Sequence, residues 1–294
     1  MTTSTKIINP PSPGKIALFT LASIAMFILI AIVCFLLTFW IQNNALKIVI
    51  REVVLRVPLT ILFMHIFARR VIKTYDPAAL YGKLTLQGML KWIAIGTVVP
   101  VVIWLFYYLF HFITPFSGSN SMSLADKVQL FIKWSSVSIA AGLTEEIVFR
   151  GHLFMIISAR YSKFKAIFIT SLIFGLVHIY MLTSFNILDA LIVVGGGIVT
   201  GIMFSFIYTY TKVIWYTAIV HVIWDIFFIG KITTIAASAA DAKHALLAFK
   251  FTTKNVLLTG RGFGIEAGMP CLLAFLLIIF VLYKRSAARL SVHA

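Results

Sequence analysis

The chain has 294 residues, of which 61% are hydrophobic and only 12% are charged. A typical soluble domain has about 45–50% apolar and about 25% charged residues, so this composition excludes an ordinary soluble protein. Apolar stretches of about 20 residues, the length of a membrane-spanning helix, recur along the chain and are not confined to its N-terminus. The sequence therefore predicts a polytopic all-α membrane protein, not a secreted protein with a signal peptide.

The formal net charge is +16, but the 25 basic residues are scattered between apolar segments and form no concentrated basic patch. We interpret them as topology signals and contacts to anionic lipids, and we expect no nucleic-acid partner. Cys34 and Cys271 lie far apart inside apolar stretches, which favours a packing role over a disulfide or a thiolate metal site.

About eight transmembrane helices are predicted from the apolar segments. The segments cover residues 16–41, 52–68, 92–113, 128–158, 165–185, 189–210, 213–230 and 265–283. The second is irregular, because Arg51, Glu52 and Arg56 crowd its start and Pro58 interrupts it, so we expect it to be tilted, kinked or partly interfacial. In the sixth, Gly197 and Gly201 form a small-xxx-small pair that allows another helix to approach closely.

The distribution of Lys and Arg indicates the orientation. If the N-terminus is cytoplasmic, 14 of the 25 basic residues fall on the cytoplasmic side. The opposite side keeps Lys47, Arg51 and a basic loop at residues 231–264, which weakens the asymmetry. We predict an integral protein, in the cell membrane, with both termini in the cytoplasm.

Ionisable side chains inside apolar segments are costly and usually functional. Here they form three motifs in chain order: Glu145, Glu146 and Arg150 in the fourth segment, Phe174 and His178 in the fifth, and His221 and Asp225 in the seventh.

Helical geometry separates the two glutamates. Residues four apart share a helix face, so Glu146 and Arg150 are expected to form an ion pair, whereas Glu145 points elsewhere and lacks a local partner. A buried carboxylate without a cation has a raised pKa, the condition that makes a glutamate a base near neutral pH. Glu145 is therefore the candidate general base, and a purely structural role for the Glu146–Arg150 pair remains open.

The three motifs have compatible depths in the membrane. At about 1.5 Å per residue, Glu145 and His178 lie roughly 20 Å from their cytoplasmic helix ends, and His221 lies about 12 Å from its own. His221 and Asp225 are four residues apart and share one stripe of the seventh helix. We therefore expect one cluster in the cytoplasmic half to the middle of the membrane, with hydrolysis as its chemistry.

Two versions of this chemistry stay open. His178, His221, Glu146 and Asp225 are residue types that bind zinc, with one position left for water. Alternatively, Glu145 takes a proton from water without a metal, and the histidines polarise the scissile carbonyl or bind its oxyanion. The spacing does not choose between zinc and a metal-free mechanism.

The ordered motifs EExxxR, FxxxH and HxxxD resemble the signature of the CPBP family, which includes the CAAX prenyl endopeptidases and the bacterial Abi relatives. The resemblance spans residues 140–230 and implies an eight-helix membrane endopeptidase, often labelled a metalloprotease, that cleaves a peptide or protein substrate at the membrane. It implies that Glu145 activates water and that Glu146, His178, His221 and Asp225 complete the site. Asp225 matches a position that is Asn in some members and Asp in others.

From the motifs and this resemblance we divide the chain into five parts. They are a flexible leader (1–14), N-terminal transmembrane helices (15–126), a catalytic core (127–230), a loop (231–264), and the last transmembrane helix with a basic tail (265–294). The loop contains an apolar patch from Ala245 to Phe249 beside Lys243 and Lys250, either on the membrane surface or in a plain connection.

Two rival functions are considered. In a proton-coupled transporter the same buried carboxylates and histidines would form an ion path. In a noncatalytic bacteriocin-immunity or scaffold protein they would serve stability, and the nearly isosteric Glu145→Gln would leave activity intact. The remaining intramembrane histidines, His65, His111 and His152, are interpreted as packing residues. Asp189 and Glu266 lie at segment ends, where solvation is expected.

Overall fold

The computed structural model describes residues 10–116, 122–182, 185–230, 233–236, 242 and 245–291. Its described part contains eight helical stretches that overlap the eight predicted segments, with ends that differ by up to eight residues. The α-helices are α1 (Pro13–Thr38), α2 (Asn44–Ile48), α3 (Val57–Phe67), α4 (Ala78–Tyr81), α5 (Leu86–Leu109), α6 (Leu124–Glu146), α7 (Phe154–Ser158), α8 (Lys163–Val177), α9 (Ile187–Thr211), α10 (Ile214–Phe228), α11 (Val256–Thr259) and α12 (Met269–Ser291). This is the predicted all-α membrane architecture.

Five of these stretches are long and apolar enough to cross a membrane: α1, α5, α9, the run Lys163–Met181 and the run Met269–Ala288. The second and fourth stretches are interrupted by wider π-helical turns at Val49–Arg56, Ala68–Ile72 and Ile147–Leu153. Such turns occur often at functional sites, because they rotate the side chains that follow. The helix α10 has only 15 residues.

Most of the long helices begin at a side-chain cap. Ser12, Thr85, Ser123, Ser162 and Asn186 each accept a hydrogen bond from a backbone N–H of the first turn, which replaces a partner that the helix cannot supply. The first of these caps sets the start of α1 at Pro13. The predicted leader is therefore helical over its last two residues, and its first nine residues lie outside the described ones.

The connections gather at two ends of the helix bundle. At one end, Arg160 donates to the backbone oxygen of Pro11, and the Thr85 hydroxyl lies 3.0 Å from the Tyr216 hydroxyl. At the other end, the connection after α5 pairs with the connection after α10 in a small sheet. The connections fall into two groups because successive helical stretches run in opposite directions through the bundle.

The small sheet is an addition to the predicted all-helical architecture. Strand β3 (Leu247–Phe251) lies between β1 (Ile113–Pro115), which is antiparallel to it, and β2 (Thr233–Ile235), which is parallel. Part of the predicted apolar patch is thus the central strand, so this part of the loop has regular structure. Lys243 lies outside the described residues.

Glycines set the contact between α8 and α9. A Cβ atom at Gly197 would lie 2.6 Å from the Cα atom of Gly175, and one at Gly201 would lie 2.8 Å from the Cβ atom of Ser171. The two backbones touch, which confirms the predicted small-xxx-small contact. This contact packs the helix that carries His178 against the long, half-buried α9. The two cysteines are buried and free.

We expect Gly197→Ala to destabilise the protein by about 1–3 kcal/mol, because the new methyl group overlaps the backbone of α8. Gly195→Ala is the matched control, since no atom lies within 4 Å of its added Cβ atom and alanine favours the helix. The measurement is the unfolding midpoint of both variants in the same detergent. Equal unfolding midpoints would contradict the prediction, because they would show that α8 and α9 can move apart without a loss of stability.

Candidate active site

The crossing of α6 and α10 brings the first and third motifs together. A Cβ atom at Gly142 would lie 2.6 Å from Val222 Cγ2 and 2.7 Å from the Val222 backbone nitrogen. Only glycine permits this approach, one helical turn before Glu145 and Glu146 and one residue after His221. The sequence analysis missed Gly142, although its position in the turn before two glutamates was a usable signal.

Glu146 is the centre of a buried ionic cluster. Its Oε1 atom accepts a hydrogen bond from Arg150 NH1 at 2.8 Å and lies 2.8 Å from His221 Nδ1. The side chains of Glu146 and Arg150 are 0% and 1% exposed, so the ion pair is removed from solvent and lipid. The predicted pair of residues four apart is present, and its carboxylate also holds the histidine of another helix.

Aromatic rings enclose the Arg150 guanidinium. Its carbon lies 4.2 Å from the ring centroid of Phe174 and 5.1 Å from that of Phe204. The ring of Phe204 also stacks on His221, with centroids 4.5 Å apart. These contacts supply cation–π attraction to a desolvated charge. Phe174, a member of the second motif, thus contacts the charge of Arg150 directly. Phe204, on α9, belongs to none of the three motifs, so the sequence did not predict it.

The second ring nitrogen of His221 faces the other carboxylates. Nε2 lies 3.6 Å from Asp225 Oδ1 and 4.0 Å from Glu145 Oε2. Both distances exceed a normal hydrogen bond, so among the described residues this nitrogen keeps room for another partner. Glu145 is 16% exposed at its side chain, and Asp225 is almost completely buried.

His178 begins a short 3-10 turn, His178–Met181, that follows α8. Its Nδ1 atom lies 2.6 Å from the backbone oxygen of Phe174. A carbonyl oxygen only accepts, so Nδ1 carries the hydrogen and Nε2 is the nitrogen left for other chemistry. The sequence placed Phe174 and His178 on one face, and the structure adds that the backbone of Phe174 fixes the tautomer of His178.

Glu145 and His178 line the same cavity, of about 690 Å³. The rest of its wall is mostly apolar and comes from α1, with Arg56 and Tyr180 as further polar members. The lining residues are Ile24, Phe27, Ile28, Ala31, Ile32, Phe35, Arg56, Glu145, Phe149, Val177, His178 and Tyr180. Four of the five predicted site residues thus meet at His221, which lies within 4.0 Å of Glu145, Glu146 and Asp225. The fifth, His178, shares the lining of the cavity with Glu145.

The predicted zinc ligands, His178, His221, Glu146 and Asp225, are not gathered into one cluster in the described structure. Among the described residues, no group of three or more His, Cys, Asp or Glu side chains is placed to hold one. Of the set His178, His221, Glu146 and Asp225, the carboxylate of Glu146 is turned onto Arg150 and His221 Nδ1. Glu146 Oε1 and His221 Nδ1 are thereby occupied by each other, while Glu146 Oε2 has no hydrogen-bond partner among the described residues.

His152 is a buried, hydrogen-bonded packing residue, as the sequence predicted: its Nδ1 atom bonds with the Tyr75 hydroxyl. Glu266 lies before the last helix and is only partly exposed. Its Oε1 atom accepts a hydrogen bond from Trp224 Nε1 at 2.7 Å, which the sequence did not predict. Burial raises the pKa of Glu266 to about 7.

Residues 127–227 match the family described as type II CAAX prenyl endopeptidase Rce1-like. This match covers all three motifs and confirms the resemblance that they carry. No curated protein and no solved structure is significantly similar to the chain.

The two adjacent glutamates are expected to differ in what they contribute to stability. Glu146→Gln leaves the buried Arg150 charge uncompensated, which costs about 3–5 kcal/mol. Glu145→Gln changes a partly exposed side chain that accepts no hydrogen bond from the described residues, and it should cost less than about 1 kcal/mol. Unfolding midpoints in detergent measure both. A Glu145→Gln variant as unstable as Glu146→Gln would contradict this division of roles.

Proposed function

We propose that this integral membrane protein is an intramembrane endopeptidase. The match of residues 127–227 to the type II CAAX prenyl endopeptidase Rce1-like family supports the proposal. The substrate of the protein is a membrane-associated peptide or protein. The observation that carries the proposal is the position of Glu145, which lies 4.0 Å from His221 Nε2 and shares a cavity with His178.

In the proposed reaction a water molecule in the cavity attacks the scissile carbonyl carbon while Glu145 takes one proton from it. The carbonyl oxygen becomes the oxyanion of a tetrahedral intermediate. The imidazolium N–H of His221 binds this oxyanion through Nε2, and His178 lines the cavity in which it forms. The intermediate collapses when the C–N bond breaks and Glu145 returns its proton to the leaving amine.

The buried residues hold this arrangement in place. Glu146 accepts from both Arg150 and His221 Nδ1, so it fixes the imidazole ring and leaves Nε2 directed at the cavity side. Asp225, 3.6 Å from Nε2, favours the imidazolium form by its charge. An ionised carboxylate accepts and cannot donate a hydrogen bond to an oxyanion, so Asp225 acts through His221 and not on the substrate.

A metal-free mechanism is proposed over zinc, since the candidate ligands do not converge in the described structure. The charge of Glu146 is already met by Arg150 and by His221 Nδ1, which both bind its Oε1 atom. No step above passes through a metal ion.

The cytoplasmic side is proposed to be the end at which Pro11, Thr85 and Arg160 lie. The contacts of these residues gather four connections with Arg69, Arg70 and other basic residues. The small sheet then lies on the opposite side of the membrane, and both termini are cytoplasmic. A transporter is the rival function. Both functions use buried carboxylates and histidines, so the formation of cleavage products distinguishes them.

Glu145→Gln is expected to abolish proteolysis and leave the protein folded. Peptide and protein termini in membranes are compared by mass spectrometry between cells with matched amounts of wild type and of Glu145→Gln. Termini that occur only with the wild type support the proposal and identify the substrate. Asp76→Asn is the control, because this exposed side chain keeps its acceptor for the Ala78 N–H.

If the termini are the same while both proteins are folded and Glu145→Gln keeps a cellular activity, that result would contradict the protease proposal and favour the scaffold or transporter function.

Metal removal gives a separate expectation. The purified protein should keep its cleavage rate after treatment with 1,10-phenanthroline and dialysis, since its proposed base and oxyanion donors are side chains. A rate that falls at least tenfold and returns with added zinc would restore the metal-dependent mechanism. The readout is cleavage of the substrate found through its new termini.

A further inference from the structure

A second cavity, of about 920 Å³, lies between the small sheet and the ends of three helical stretches, and the proposed reaction uses none of its lining residues. The lining includes Trp104 near the end of α5, Phe228 at the end of α10, and Ile265 just before α12. Transmembrane helices end in the headgroup region of a bilayer, where tryptophan is also enriched. The second cavity therefore lies at the depth of lipid headgroups, on the side of the molecule that carries the sheet.

This second cavity has an aromatic part and a cationic part. The rings of Trp104 and Phe228 are stacked, with their centroids 6.2 Å apart. The cations are Lys250 on strand β3, Lys254 four residues later, and Arg261 in the connection before α12, and all three are exposed. Apolar rings beside exposed cations match a ligand that has an apolar part and an anionic part.

The positive charge of the lining exceeds its negative charge. Glu266 is the one carboxylate among the lining residues, against three cations, and its Oε1 atom accepts a hydrogen bond from Trp224 Nε1 at 2.7 Å. In the described part of the chain, neither Lys250 nor Lys254 forms an ion pair or a side-chain hydrogen bond. The two lysines therefore keep their charges available for an anionic ligand.

Arg261 is the most firmly held of the three cations. Its backbone has φ 53°, in the left-handed region, and its Nε atom donates a hydrogen bond to Asp189 Oδ1 at the start of α9. No described residue accepts a hydrogen bond from its two terminal nitrogens. A guanidinium that is anchored through Nε presents its remaining N–H groups as a fixed set of donors, which suits the oxygens of a phosphate.

We propose that the second cavity is a binding site for an anionic phospholipid, whose headgroup phosphate is bound by Lys250, Lys254 and Arg261. Basic pockets beside transmembrane helices bind anionic headgroups, and a cavity of about 920 Å³ has room for a headgroup with the first part of its acyl chains. The rings of Trp104 and Phe228 contact this apolar part of the lipid. The site is independent of the proposed peptidase function, because none of its residues takes part in that reaction.

Lipid binding is measured by native mass spectrometry on the delipidated full-length protein in detergent. The probes are phosphatidylglycerol and phosphatidylcholine with the same acyl chains, at equal concentrations. We expect phosphatidylglycerol to bind about tenfold more tightly, as one charge-assisted interaction provides, because the lining cations repel the ammonium group of choline. The double variant Lys250→Gln, Lys254→Gln should lose this preference.

Two controls separate a lost contact from a lost fold or a general loss of charge. The double variant Lys83→Gln, Lys165→Gln removes two exposed lysines at the opposite end of the bundle and should keep the tenfold preference. In detergent without lipid, Lys250→Gln, Lys254→Gln should unfold at the wild-type midpoint, because neither lysine has a partner among the described residues. Added phosphatidylglycerol should raise the midpoint of the wild type and of the control variant only.

Three results would overturn the proposal. One is equal affinity of the wild type for the two lipids, and another is a preference that persists in Lys250→Gln, Lys254→Gln. The third comes from glycerol 3-phosphate, which carries a phosphate without acyl chains. If it binds in a manner that depends on both lysines while the two lipids do not differ, the second cavity is a site for soluble phosphate compounds and not for a lipid.

Discussion

The shared carboxylate of Glu146 is the interaction on which the rest of the site depends. Burying a guanidinium in the membrane is tolerable only if its charge is met at short range, and Arg150 meets Glu146 at 2.8 Å in a cage of aromatic rings. The same oxygen atom holds His221, which belongs to another helix. A single atom thus fixes the rotation of the α6 stretch and the orientation of the imidazole. The geometry of the proposed active site and the folding stability are coupled there, so substitutions of Glu146 affect both.

The neighbouring Glu145 neutralises no buried arginine, so its carboxylate is available for the proposed role of general base. Glu145 is partly exposed to the cavity and stands 4.0 Å from His221, without a hydrogen bond that would have to break before it takes a proton. The contrast of two adjacent carboxylates, one enclosed and one open, recurs on a larger scale in the two arginines. Arg150 is enclosed and balanced, whereas Arg56 borders the open cavity with one carboxylate divided between it and Arg51.

Helix packing brings these side chains together through small residues and irregular turns. Gly142 allows α10 to lie against α6, and Gly175 and Gly197 allow α8 to lie against α9. The π-helical turn after Glu146 changes the phase of the helix, which keeps Arg150 in the cluster and turns His152 toward Tyr75. Without that turn, ideal helical spacing would place His152 near the face of Glu145, seven residues earlier.

Composition and spacing alone determined the eight helical segments, the ion pair of Glu146 with Arg150 and the three motifs, because bilayer length, helical periodicity and the cost of buried charge act locally along the chain. The approach of His221 to Glu146, the enclosure by Phe204, the hydrogen bond between Trp224 and Glu266 and the small sheet were decided only by the tertiary structure. Each depends on which helices touch and at what rotation. The same limit applies to Arg56: its sequence neighbours predicted an irregular helix start, but only the tertiary packing placed it in the cavity that Glu145 lines.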